Sequence, residues 1–128
     1  MRHLLLVGLG GAIGAVARWK LGGAVLHHTA DWKFPLSTFL VNCAGCLAAG
    51  VLAGLATKLD MFTPDARLFL FTGLLGGFTT FSAFGLETVT LLRRGEYVVA
   101  IAYALLSVVV GVAGLWLGML TIHGRVPT

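Results

Sequence analysis

The feature that most constrains this chain is the run from residue 34 to residue 57, which carries no charged side chain and ends only at Lys58. Three further apolar segments accompany it, at residues 4–26, 68–90 and 97–122, separated by short polar connectors. Wound as α-helices, the second and fourth would be about 36 and 39 Å long, enough to cross about 30 Å of hydrocarbon with some tilt. Composition agrees. Hydrophobic residues make up 58% of the 128 residues and charged residues 11%, against about 25% charged in a typical soluble domain. So small a chain exposes too much of its surface to be soluble with so few polar residues. Period-2 alternation is absent, which argues against a β-barrel. The expected fold is an all-α integral membrane protein, one domain over residues 1–128 with four transmembrane helices.

Two motifs in the first segment point elsewhere and lose on context. Arg2, an apolar stretch and Ala15-Val16-Ala17 resemble a signal peptide with its cleavage site. Four glycines inside the stretch and basic residues just beyond the supposed cut weigh against it. Gly8, Gly10 and Gly14, with Asp31 downstream, resemble a dinucleotide-binding turn. That fingerprint requires a βαβ unit, and the chain continues instead as a series of membrane-length segments. The glycines read better as close-packing positions between helices, as do Gly50-x-x-x-Gly54, Gly73-x-x-x-Gly77 and Gly114-x-x-x-Gly118.

Charge placement bears on orientation. With four spans, the N-terminus, middle loop and C-terminus share a side and carry Arg2, Lys58, Arg67 and Arg125. The other side carries Lys33, Arg93 and Arg94, with Arg18 and Lys20 expected near the end of the first helix. The two sides nearly balance, so little in the charge pattern selects one orientation. A four-helix chain with undecided topology suits an antiparallel homodimer, closed by two-fold symmetry. A fixed orientation imposed by a partner also fits. The net charge of +4 is scattered, with no basic tract for nucleic acid, and the two cysteines imply no disulfide framework.

Polar groups at bilayer depth are costly, and each is either interhelical glue or functional. Thr38 and Asn42 are four apart on one helix face, and Asn42 brings two amide donors where hydrocarbon supplies no partner. Cys43 and Cys46 stand among Ala and Gly as small packing residues. Tyr103 and Ser107, again four apart, form either a hydroxyl track or ordinary interhelical bonds. Glu87 is the only carboxylate within a span. Three readings suit its position, namely snorkelling, accepting from Tyr103 or another hydroxyl, or pairing with Arg18, and its position favours a fourth, titration during transport, less. Arg18 suits either helix-end bracing or an anion-attracting vestibule. The histidines show no metal-site spacing, and no nucleophile–base set or phosphate loop argues for an enzyme.

In the third segment, Gly76-Gly77 followed by Thr79-Thr80 makes a poor continuous helix. A break there would free backbone carbonyls, tolerated at this depth only if something buried satisfies them. A desolvated cation such as Na⁺ is one candidate; threonine hydroxyls and a neighbouring helix are the other. Phe81 and Phe84 stand three apart beyond the break.

Three blocks of residues together carry a resemblance. They are Gly10-Gly11-Ala12-Ile13-Gly14-Ala15 with Arg18, Ser37-Thr38-Phe39-Leu40-Val41-Asn42-Cys43-Ala44-Gly45, and Gly76-Gly77-Phe78-Thr79-Thr80-Phe81-Ser82-Ala83-Phe84. In order and along nearly the whole chain, these resemble the Fluc (CrcB) fluoride channels. The resemblance implies a dual-topology antiparallel homodimer with two fluoride pores and a central structural Na⁺. It implies a passive fluoride-exporting channel in both orientations of the bacterial inner membrane. The family motif puts the cation on the backbone carbonyls of Gly76 and Thr79, the pore phenylalanines at Phe81 and Phe84, and an ion-contacting donor at Asn42. A hydroxyl track of Tyr103 and Ser107, with Glu87 nearby, is implied by the same resemblance, and Thr38, on the Asn42 face, is expected to border the same pathway. Ser37 stands where the family has Gly, and Ala83 where Ser or Thr is common.

Fluoride holds its water tightly, so a dry pore must offer several donors close together. Asn, Ser, Thr and Tyr provide them, and phenylalanine rings present an electropositive edge. Neutral donors let the ion leave again, as conduction requires. Two rival functions stand beside this one. A proton-coupled exporter like the small multidrug resistance transporters needs a carboxylate in the first helix, and this first helix has none. An accessory subunit of a membrane complex is opposed only by the polar face and the third-segment block.

Overall fold

The computed structural model describes residues 1–124, so Arg125 of the charge tally lies outside the described residues. Five helices make up the described chain: α1 (Arg2–Thr29), α2 (Leu36–Lys58), α3 (residues 64–78), α4 (Phe81–Arg93) and α5 (Tyr97–His123). α3 and α4 are the two halves of one broken span, Pro64–Arg93, and with it four helical runs are long and apolar enough to cross a membrane. This is the expected all-α architecture with an interrupted third span.

Local chemistry sets the ends. α3 opens with Thr63, whose hydroxyl accepts from the Ala66 amide at 3.2 Å, with Pro64 at the first helical position and Asp65 in the first turn. α4 closes in a Schellman turn. The Glu96 amide returns to the Leu91 carbonyl and the Gly95 amide to that of Leu92. Gly95 at φ 75° supplies the left-handed residue the turn requires.

Three contacts fix the sidedness of the spans. Arg2 pairs with Asp65 at 3.0 Å, bringing the N-terminus to the start of α3. Lys33 pairs with Glu96 at 2.7 Å, joining the first and third connectors. Lys58 donates to the Ile122 carbonyl at 2.6 Å, joining the ends of α2 and α5. The chain therefore runs up, down, up and down, as the charge tally requires.

Helix contact depends on missing side chains. α1 lies on α3, where a Cβ added at Gly10 would stand 2.6 Å from the Phe69 carbonyl oxygen. Gly77 rests on the Gly11 backbone, and Gly14 on the backbone of Leu74 and Phe78. α2 lies on α5 in the same manner, through Gly50 against the Leu115 backbone and Gly118 against that of Leu47 and Val51. Backbones this close gain dispersion contact that lipid cannot match. Gly114 is the exception, with only loose contacts near 4 Å. The outward faces carry Leu4, Val98, Val112 and Leu117, suited to lipid.

Two expectations need correction. The glycine pair is not the break: Gly76–Phe78 stays helical, and the backbone departs at Thr79 (ψ 157°) and Thr80 (ψ 115°). Gly77 keeps helical form because its bare Cα lets α3 seat on α1. Arg18 is also not near a helix end, since α1 continues to Thr29, about eleven residues or roughly 16 Å further. One feature had no sequence signal: Leu68–Leu75 is wound as a π-helix, and the Gly76 amide reaches the Phe71 carbonyl five residues back.

Candidate functional site

The site is built around the break between α3 and α4. In an unbroken helix the Thr80 amide would bond the Gly76 carbonyl, and the Ala83 amide that of Thr79. Both amides go elsewhere. The Thr80 amide donates to Asn42 Oδ1 at 2.8 Å. The Ala83 amide donates to the Thr80 hydroxyl at 3.1 Å, which makes Thr80 the N-cap of α4. Asn42 returns a second bond, from Nδ2 to the Thr80 carbonyl at 3.0 Å. Thr79 turns its own hydroxyl back to Leu75 O at 2.8 Å. The carbonyls of Gly76 and Thr79 thus lose the amides that a continuous helix would bring to them.

A cavity of about 270 Å³ lies beside this break, lined by Asn42, Phe81, Phe84 and Ser107 together with Cys46 and Thr80. Thr79 lines it too, so the structure gathers five of the expected site residues into one space. Phe81 is 83% exposed in the single chain, while Phe84 is half-buried. Their ring centroids are 5.6 Å apart with planes tilted by 34°. The Ser107 hydroxyl oxygen is buried and has no hydrogen-bond partner among the described residues. An unsatisfied donor in such a place suits a polar occupant of the cavity.

Tyr103 and Glu87 sit apart from that lining. Tyr103 is fully buried, and its hydroxyl donates to Glu87 Oε2 at 2.6 Å. Thr38 donates to the other carboxylate oxygen, also at 2.6 Å. Of the three readings of Glu87, acceptance from hydroxyls is the one realised; among the described residues Arg18 forms no ion pair with it. Phe84 links the two groups, its centroid 5.1 Å from that of Tyr103. Phe34 closes the far side edge-on at 5.4 Å.

Arg18 borders a second cavity of about 330 Å³, with Ser37, Thr38, Thr80 and Ala83 on its walls. Thr80 borders both cavities. Sequence reasoning missed Cys46 and Thr80 as lining residues. A signal for Cys46 was available, because it stands four residues after Asn42 on the same helix face. Thr80 had none beyond its place beside the break.

The set of groups is thus a half-buried amide, free hydroxyl, aromatic pair and broken backbone inside a membrane-spanning protein. Comparison with known proteins agrees with it. Residues 5–119 match the family described as CrcB-like protein, Camphor Resistance (CrcB). A protein of Methylobacillus flagellatus named fluoride-specific ion channel FluC is 58% identical over 118 residues, which cover 92% of each chain. The protein of the same name from Hyphomonas neptunium is 54% identical over 121 residues, covering 93% of this chain and 94% of that one. The one from Helicobacter pylori is 42% identical over 115 residues, 89% of this chain and 88% of that one. This multi-pass membrane protein belongs to the CrcB family.

Proposed function

We propose that this protein is a passive, fluoride-selective channel that lets F⁻ leave the cell and so relieves fluoride toxicity. The relatives' shared name supports the ion, and one observation carries the route: Asn42, Phe81, Phe84 and Ser107 line a single cavity at the break. These walls offer an amide, a free hydroxyl and ring edges, with no charged side chain among them. A small, strongly hydrated anion exchanges water for such donors, and their neutrality lets it depart. Chloride, larger and a weaker acceptor, gains less from the same contacts. Glu87, Tyr103 and Thr38 serve as a fixed polar group behind Phe84, since both carboxylate oxygens already accept hydroxyl bonds. Arg18 serves as an anion-attracting residue at the neighbouring cavity.

The working unit is an antiparallel homodimer with both orientations in the bacterial inner membrane. The near-balance of basic residues supports this, as does the exposure of Phe81, a pore residue left uncovered in one chain. A structural Na⁺ fits the carbonyls of Gly76 and Thr79, whose amide partners are diverted and whose oxygens suit a hard cation. Gly76 lies on the exposed side of the chain, within reach of a second copy. When bound, the ion supplies positive charge near the route without pairing directly with fluoride.

Fluoride efflux from liposomes holding purified protein, read with an ion-selective electrode, tests the proposal. Rapid F⁻ release that ignores both chloride and an imposed proton gradient is expected. Release that needs the proton gradient points to an exporter, and no release at all points to an accessory subunit.

A further inference from the structure

We propose that Asn42 is the positioning residue that holds the third span broken, and thereby keeps the Gly76 and Thr79 carbonyls available to the cation. The inference rests on the sodium assignment above. Its basis is that Asn42 bonds Thr80 twice, at the amide and at the carbonyl, across 38 residues of sequence. Thr80 is the residue whose amide would otherwise close the helix on Gly76. An unbonded amide at bilayer depth is strongly unfavourable, so without a substitute acceptor the backbone would wind back toward Gly76 O. Asn42 Oδ1 is that acceptor. The same side chain satisfies the Thr80 carbonyl, so neither backbone group of Thr80 favours closure. Asn42 also lines the cavity proposed as the route, and one of its two amide hydrogens remains for an occupant. One residue therefore joins the cation site to the ion path: removing it should disturb both, whereas removing Ser107 should disturb the path alone.

The test measures melting temperature in detergent as a function of Na⁺ concentration, alongside deuterium uptake by peptides spanning residues 76–84. A ligand that binds only the folded state raises the melting temperature as its concentration rises. Wild type should show that rise, and Ser107→Ala should keep it while fluoride flux falls. Asn42→Ala should lose the rise and take up deuterium more slowly at the break, because the Thr80 amide then closes on Gly76 O in a continuous helix. Asn42→Asp keeps an acceptor for the Thr80 amide, so it should retain most of the rise, and it serves if the alanine variant does not fold. Asn42→Ala with wild-type Na⁺ dependence and wild-type uptake would overturn the inference. Wild type without any Na⁺ dependence would instead overturn the sodium assignment, and the uptake of Asn42→Ala would then show separately whether the residue holds the break.

Discussion

The Tyr103 hydroxyl donates to Glu87 Oε2 at 2.6 Å, tying α5 to α4 from a position with no exposure at all. Thr38 holds the other oxygen from α2, so three helices meet at one carboxylate. A carboxylate accepts from both hydroxyls at once; a neutral amide presents one acceptor and one donor. Glu87→Gln therefore leaves one hydroxyl facing an N–H, and a lower melting temperature is expected, by the equivalent of about 1–3 kcal/mol. Conduction should stay indifferent to a proton gradient in this variant as in wild type. Coupling to protons in wild type that disappears in Glu87→Gln would make the residue a proton carrier instead.

The aromatic pair gives a sharper result. Phe81→Ile and Phe84→Ile keep apolar bulk and remove the electropositive ring edge. Each should lower fluoride flux by about tenfold or more, a barrier increase of roughly 1.4 kcal/mol. The dimer should still elute as wild type does on size exclusion. Two isoleucine variants that conduct normally would remove the rings from the pathway.

How much of this is legible in the sequence differs from element to element. The spans are, because continuous apolarity over residues 34–57 and 97–122 leaves a chain no soluble alternative. The break is legible in place but not in mechanism. Glycine propensity marks Gly76 and Gly77, yet the helix yields at Thr79 and Thr80, where substitute partners exist for the freed backbone. One of those partners, Asn42, is 38 residues away. No local pattern encodes that pairing, or the meeting of Thr38 with Glu87 across 49 residues. The π-winding of Leu68–Leu75 is illegible for a related reason: its residues are ordinary apolar ones, and nothing in their order marks that winding.

Cys46 puts a modifiable thiol on the cavity wall of the wild-type chain. It lines the cavity with Asn42 and Ser107, whereas Cys43, three residues earlier, does not. Ag⁺ or methyl methanethiosulfonate reaching the cavity should modify Cys46 and stop fluoride flux. Cys46→Ser should resist and Cys43→Ser should remain sensitive. Block that persists in Cys46→Ser, or vanishes in Cys43→Ser, would place the conducting route elsewhere.

Helix contact makes an independent prediction about assembly. Gly118 lies against the backbone of Leu47 and Val51, which cannot rotate aside as a flexible side chain would. Gly118→Val should separate α2 from α5 and destabilise the fold by about 3 kcal/mol or more, the upper end of overpacking costs. Gly114→Ala, four residues away in looser surroundings, should be nearly neutral. Equal melting temperatures for the two variants would contradict the packing described.

Basic residues on the two sides nearly cancel, so insertion in both orientations is expected if charge is what decides. Adding two or three lysines to the connector between Asp60 and Thr63 should place that side in the cytoplasm for every copy. Adding them beside Arg93 and Arg94 should fix the reverse. An antiparallel pair then cannot form from either variant alone, and fluoride resistance in cells should be lost. Co-expression of the two should restore it, because each supplies the orientation the other lacks. Reporter fusions at the C-terminus would verify the fixed orientations, so loss of function could be separated from failed insertion. Full resistance from one fixed variant would show that a single orientation suffices and would end the antiparallel reading.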